Sequence, residues 1–298
     1  MNALTAQEIE SAGGFVGLLL DPEERPRWPD VREWPQQPAD EYPRNFTEFF
    51  GQDEAVALLR TEVNAAKREG RAFGHVLFYG PPGCGKTGLA HVLAAEIGYV
   101  IFESSGAEYS NQQAMLDALL SIARLQDMTN RPTLWLIDEI DGLARVASYV
   151  VHSLMTHGYV VWRGQRYGPA WPVVVLGTTN RMAGVPRALK SRFAEHVAID
   201  YYHMDELALM AKHTAVKMGM LLTDEAAAFL AGNSAGEPRK LIRRLLRNLR
   251  NIVPGRFATA DLDAARRALQ LSGLRPAGLS KPQFEYLRFL AGCEDGTA

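Results

Sequence analysis

The chain has 298 residues, 47% of them hydrophobic and 22% charged, with a net charge of −2. That length suits about two domains with substantial cores, and the composition excludes fibrous and wholly disordered classes. No apolar run approaches the ~18 residues of a membrane span, and no secretory signal is expected at the N-terminus. Two cysteines, Cys84 and Cys293, cannot make a disulfide framework, so a reduced, cytoplasmic setting is expected.

The small net charge hides an asymmetry. Residues 1–41 carry three basic and nine acidic side chains, 42–202 carry fifteen of each, and 203–298 carry fourteen basic and ten acidic. Any polyanion contact is therefore expected in the later part. The acidic head also holds Pro22, Pro26, Pro29, Pro35 and Pro38, a density that prevents a helix or central strand. Trp28 and Trp34 can pin this extension onto the body or a neighbour; the alternative is a mostly disordered arm.

From Tyr42 the character changes. Ala55 to Arg68 has apolar residues at helical spacing, and His75 to Tyr79 reads as a buried strand. Next comes Gly80-Pro81-Pro82-Gly83-Cys84-Gly85-Lys86-Thr87, and Gly88 to Ile97 continues as a helix. Strand, glycine loop and helix in that order form the context of a phosphate-binding loop. Its glycines let backbone N–H groups turn around a phosphate, and the helix N-terminus adds partial positive charge. Lys86 then reaches the β- and γ-phosphates of a nucleoside triphosphate, and Thr87 holds Mg²⁺ through its hydroxyl.

Tyr99 to Glu103, Thr133 to Ile140, Val173 to Thr178 and His196 to Ile199 read as further strands, with a helix over Asn111 to Leu125. Strands alternating with helices predict an α/β fold with a parallel five-stranded sheet covered on both faces. Ligands of such sheets bind beyond the carboxyl ends of the strands.

Leu134-Trp-Leu-Ile-Asp138-Glu139 delivers two carboxylates at one of those ends, 52 residues after Lys86. Asp138 suits Mg²⁺, directly or through water, and Glu139 suits polarising the water that attacks the γ-phosphate. Asn180, ending the fourth strand, can bond the γ-phosphate or that water. Arg192, 12 residues on, can reach the nucleotide of an adjacent subunit, with Arg187 as the competitor for that role. Between them, Val146 to His157 reads as a helix. Residues 159–168 read as a short hairpin whose Trp162 and Tyr167, flanked by Arg163 and Arg166, can stack on nucleic acid or pack on their own subunit.

After His203 no strand is expected. Met204 to Met218, Thr223 to Ala231, Pro238 to Ile252 and Thr259 to Leu271 predict a helical lid domain over 203–275, with Thr223 and Thr259-Ala-Asp261 as helix starts. Arg239 stands near a helix start, where it can lean over the nucleotide. Arg243, Arg247 and Arg250 share one side of that helix, as a solvated face or a polyanion contact. A last helix covers Lys281 to Leu290.

These motifs occur in the order typical of AAA+ ATPases. Phe49-Phe50-Gly51-Gln52, Ser104-Ser105-Gly106, Ile137-Asp138-Glu139-Ile140, Gly177-Thr-Thr-Asn180-Arg181, Ser191-Arg192-Phe193 and Gly236-Glu-Pro-Arg239 resemble in detail the RuvB family of branch-migration motors, over about residues 42–275. The resemblance implies ATP and Mg²⁺ as cofactors. It puts Tyr42, Phe50 and Gly51 against adenine and Gly80 to Gly88 around the phosphates. Asp138 and Glu139 become Walker B, Asn180 sensor 1, Arg192 an arginine finger acting in trans and Arg239 sensor 2. It further implies a homo-oligomeric ring, a hexamer by analogy, acting on DNA or a DNA-bound complex, with the hairpin around Trp162 gripping a protein partner.

The family pattern ends in a winged-helix DNA-binding domain, of which Gly278 to Phe289 resembles only the first helix, as a remnant. The acidic head is foreign to it. Clamp loaders share these motifs, so a loader that remodels a protein partner in replication, recombination or transposition is the alternative reading.

Overall fold

The computed structural model describes residues 42–162 and 165–294; the acidic head with Trp28 and Trp34 lies outside the described residues. Of Trp162 the backbone alone is described. The described chain forms two compact units.

Of the described residues, the first unit comprises 42–49, Asp53–Gly80 and Lys86–Ile199. Its sheet holds β1 (Val76–Tyr79), β2 (Val100–Ser105), β3 (Thr133–Asp138), β6 (Val173–Thr179) and β7 (Glu195–Ala198), in the order β2-β3-β6-β1-β7. Every pairing is parallel, as expected from the alternation of strands and helices. Between β3 and β6 lies the antiparallel hairpin of β4 (Val160–Trp162) and β5 (Gln165–Tyr167).

Strand residues alternate between faces, and here both faces are apolar because both are covered. Leu77, Trp135, Ile137 and Val175 join a core with Met115, Leu119 and Ile122 from the helix Gln112–Thr129 and Val151 from the helix Arg145–His157. The alternate residues Val76, Phe78, Leu134, Leu136, Val174 and Leu176 are equally buried. The helices Asp53–Glu69 and Lys86–Ile97 bring Leu59, Val63, Leu89 and Leu93 as further core residues. Asn111 caps Gln112–Thr129 by accepting the Ala114 N–H at 2.9 Å.

His75, just before β1, ties strand to strand. Its Nδ1 accepts the Val175 N–H at 2.9 Å, which leaves Nε2 to donate to the Met155 carbonyl at 3.2 Å. The ring is therefore neutral, and burial pushes its pKa below the ordinary 6.5.

Of the described residues, the second unit comprises Phe50–Gln52, Pro81–Gly85 and 200–294. It holds the helices Met204–Lys217, Asp224–Gly232, Leu262–Leu271 and Lys281–Glu294. Three sequence expectations are corrected here. Two strands do follow His203: β8 (Met220–Leu222) pairs in parallel with β9 (Ala258–Ala260). Each has three residues, too short to show a period of two, so neither was legible. Thr259 lies in β9, and Asp261 caps the next helix by accepting the Ala264 N–H at 2.9 Å. Pro238 to Ile252 is not one regular helix either: Leu241–Leu246 is π-helical between Pro238–Lys240 and Arg247–Ile252. Among the described residues, no helix is long and apolar enough to cross a membrane.

Candidate nucleotide-binding site

β1 ends at Gly80, whose φ of +146° is open to glycine. A Cβ there would stand 1.8 Å from the Ile199 carbonyl oxygen. The Gly80 N–H donates to the Thr179 carbonyl at 3.2 Å, and the Ile199 N–H donates to Tyr79 at 2.8 Å. The strand end is thus held from both sides, and the glycine loop leaves from a fixed point.

The helix Lys86–Ile97 starts at the lysine itself. Lys86 is 8% exposed, and its Nζ donates to the Gly80 carbonyl at 2.9 Å and to Asn180 Oδ1 at 2.7 Å. Thr87 and Gly88 follow in the first turn, and Gly88 faces the ring of Tyr42, 3.6 Å from where its Cβ would stand.

Three consecutive residues at the end of β6 reach three different groups. Thr178 Oγ1 donates to Asp138 Oδ1, Thr179 Oγ1 donates to Asp141 Oδ1 at 2.7 Å, and Asn180 receives Lys86. The Glu139 N–H donates to Thr178 Oγ1 at 3.3 Å. Glu139 is exposed in a left-handed turn with φ of 50°, and its carbonyl accepts the Gly142 N–H at 2.7 Å. Gly106 lies against that carbonyl, 2.3 Å from where its own Cβ would be. Asp141 also binds Arg181, at 2.9 Å.

Thr178 and Asp141 were not singled out by sequence reading. The signal lay in the adjacent hydroxyls of Thr178-Thr179 and in a third carboxylate three residues after Asp138. His91 was also passed over: its ring stacks on Tyr42 with centroids 3.9 Å apart, and its Nε2 stands 2.8 Å from Glu103 Oε1. Arg192 lies on the turn after the helix Arg187–Lys190, and its Nε donates to His152 Nε2 at 3.1 Å. Arg187 and Arg192 are both exposed.

Within the second unit, Gly83 (φ +80°) accepts the Arg239 backbone N–H at 3.2 Å, and a Cβ on Gly83 would lie 3.1 Å from Cβ of Arg239. Pro81 and Pro82 shape the loop before it, and Cys84 is fully buried. Gly51, at φ +66°, packs so closely on Tyr202 that a Cβ would come within 2.6 Å of its ring. The Phe50 ring lies tilted against that of His213, with centroids 4.9 Å apart, and Gln52 makes two bonds to the Asp200 backbone. Burial raises the Tyr202 phenol well above its ordinary range. Tyr42 and Phe50, expected together against adenine, group with different units.

A family profile described as the "Holliday junction DNA helicase RuvB P-loop domain" matches residues 42–199. The chain belongs to the RuvB family. It is a RuvB-type AAA+ P-loop ATPase, as the motifs led us to expect. A curated relative, the Holliday junction branch migration complex subunit RuvB of Rubrobacter xylanophilus, is 32% identical over 95% of this chain and 79% of its own length. That of Lactobacillus gasseri is 32% identical over 83% and 73%. The solved Thermotoga maritima RuvB Holliday junction branch migration motor superposes with a TM-score of 0.69 at 29% identity, covering 80% of this chain and 75% of that one.

Proposed function

We propose that this chain binds Mg²⁺-ATP at Gly80–Gly88 and couples its hydrolysis, in a ring of copies, to movement on four-way DNA junctions. The arrangement that best supports this reading is the end of β6, where Asn180 bonds Lys86 and Thr178 bonds both Asp138 and the Glu139 backbone. The loop backbone suits a phosphate, because Gly80, Gly83 and Gly85 take φ values of 146°, 80° and 95° that free its N–H groups to turn inward.

The residues also fit Mg²⁺. The Thr87 hydroxyl and the Asp138 carboxylate are hard oxygen donors, and no cluster of three His, Cys, Asp or Glu side chains competes for an ion among the described residues. When bound, Mg²⁺ supplies positive charge that offsets the charge developing on the phosphate oxygens. Lys86 neutralises the β- and γ-phosphates from a buried position, where its charge is weakly screened. Glu139, exposed at its turn, polarises and orients the attacking water, and Asn180 positions that water or a γ-phosphate oxygen. Arg192 completes the site of a neighbouring copy. Arg239, fastened to Gly83, couples the lid to the phosphate state. Tyr42, Phe50 and Gly51 form the adenine side, and the hairpin around Trp162 is the surface for a protein partner.

The test is ATP turnover of the full chain with and without a four-way junction, beside Lys86→Ala. Stimulation by the junction in the wild type and loss of turnover in the variant are expected. Turnover indifferent to DNA would remove the DNA half of the reading, and turnover surviving Lys86→Ala would remove the site.

A further inference from the structure

The lid carries a cleft of about 440 Å³ lined by Arg239, Lys240, Arg243, Arg244, Ser280 and Gln283, together with Glu237 and Leu274. Glu237 is taken by Lys240 at 2.8 Å, and no ion pair engages Arg239, Arg243 or Arg244 among the described residues. Gln283 Oε1 accepts the Ser280 N–H at 2.9 Å and its hydroxyl at 2.8 Å, so the Gln283 amide NH₂ remains a donor. The cleft therefore offers guanidinium groups and a neutral donor, and its one carboxylate is already paired.

Arg239, Lys240, Arg243 and Arg244 follow the i, i+1, i+4, i+5 spacing that puts residues on neighbouring turns side by side, so they share one face. That face runs from Pro238–Lys240 into Leu241–Leu246, which is π-helical. The same segment keeps Leu241, Leu245 and Leu246 in the lid core. Arg250, expected on the same basic stripe, instead donates to the Val253 and Gly255 carbonyls at 3.2 and 3.4 Å.

We propose that this cleft is a contact for the phosphodiester backbone of nucleic acid, with Arg243 and Arg244 as its phosphate ligands. Guanidinium forks match phosphate oxygens, and neighbouring cations on one concave face favour a run of phosphates over a single carboxylate. The proposal rests on the reading that this motor acts on DNA. It locates one contact on the lid, beginning one turn beyond Arg239, whose backbone is fastened to the nucleotide loop at Gly83.

The test is a salt titration of full-chain binding to a labelled four-way junction. Arg243→Gln/Arg244→Gln is expected to weaken binding about tenfold or more and to lower the log–log salt slope by about 2. Arg243→Lys/Arg244→Lys should keep the slope. Arg266→Gln/Arg267→Gln, an equal loss of charge on the helix Leu262–Leu271, should stay within about twofold of wild type. An unchanged slope in the 243/244 glutamine variant, or an equal loss in the 266/267 variant, overturns the proposal while the DNA reading stands. A loss of nucleotide affinity with DNA affinity intact overturns it in favour of a nucleotide role. Failure of the wild type to bind any junction removes both.

Discussion

Lys86 and Asn180 are 94 residues apart in the chain, yet the lysine ammonium donates to the asparagine carbonyl oxygen at 2.7 Å. The phosphate-loop cation and the end of β6 are thus in direct contact. On the proposed reading, a γ-phosphate arriving at Lys86 would compete for that hydrogen bond, and its departure would restore it. Asn180 is next to Thr179 and Thr178, which hold Asp141 and Asp138, so a change at the lysine is felt within one strand end.

Replacing Asn180 therefore separates sensing from binding. Asn180→Ala should leave ATP affinity within a few-fold of wild type and slow turnover by roughly 10²-fold, the scale for a lost transition-state hydrogen bond. Asn180→Asp should give Lys86 an ionic partner and weaken ATP binding as well. Calorimetric affinity beside steady-state turnover distinguishes the two, and equal behaviour of both variants would sink the idea.

Glu139→Gln keeps the shape of the side chain and removes its basicity. We expect retained ATP binding and hydrolysis slowed by about 10²- to 10⁴-fold, the usual contribution of a general base. A burst-free single-turnover trace at wild-type rate would exclude Glu139 from that role.

Gly106 supports the Glu139 turn from outside it. A Cβ would sit 2.3 Å from the Glu139 carbonyl oxygen and 3.1 Å from its carbon, so Gly106→Ala must push that peptide. Overpacking of this kind costs about 1–3 kcal/mol. Turnover should fall with ATP affinity nearly unchanged, and a denaturant melt should show the stability loss; unchanged turnover would show that the peptide yields without moving the carboxylate.

Arg192→Ala should bind ATP normally and fail to hydrolyse it. Mixed with Lys86→Ala, it should recover part of the activity, because one copy then supplies the loop and its neighbour the arginine. No recovery in the mixture, together with normal turnover of Arg192→Ala alone, would remove the shared site.

His75 predicts a pH window. Its folded pKa lies below the ordinary 6.5, so the unfolded chain takes up the proton first as pH falls. Stability is then constant above that value and declines below it, by at most about 1.4 kcal/mol per pH unit until the folded pKa is reached. His75→Gln should flatten this part of the curve in urea melts between pH 7 and 5; an identical slope would assign it to other groups.

Much of this protein follows from local sequence. The loop Gly80–Thr87, the buried run Leu134–Ile137 with its two carboxylates, and the helices of the lid are set by glycine freedom, apolar periodicity and capping. Each of these acts over a few residues. What only the tertiary structure decided are pairings across long separations. Thr178 became the hinge between Asp138 and Glu139 because parallel β3 and β6 end side by side, and Asp141 met Thr179 for the same reason. The three-residue strands β8 and β9 exist only through each other. The π-helical turn at Leu241–Leu246 holds Leu241, Leu245 and Leu246 in the lid core. A 3.6-residue period could not announce that turn, because the irregularity answers to packing rather than to the pattern of its own residues.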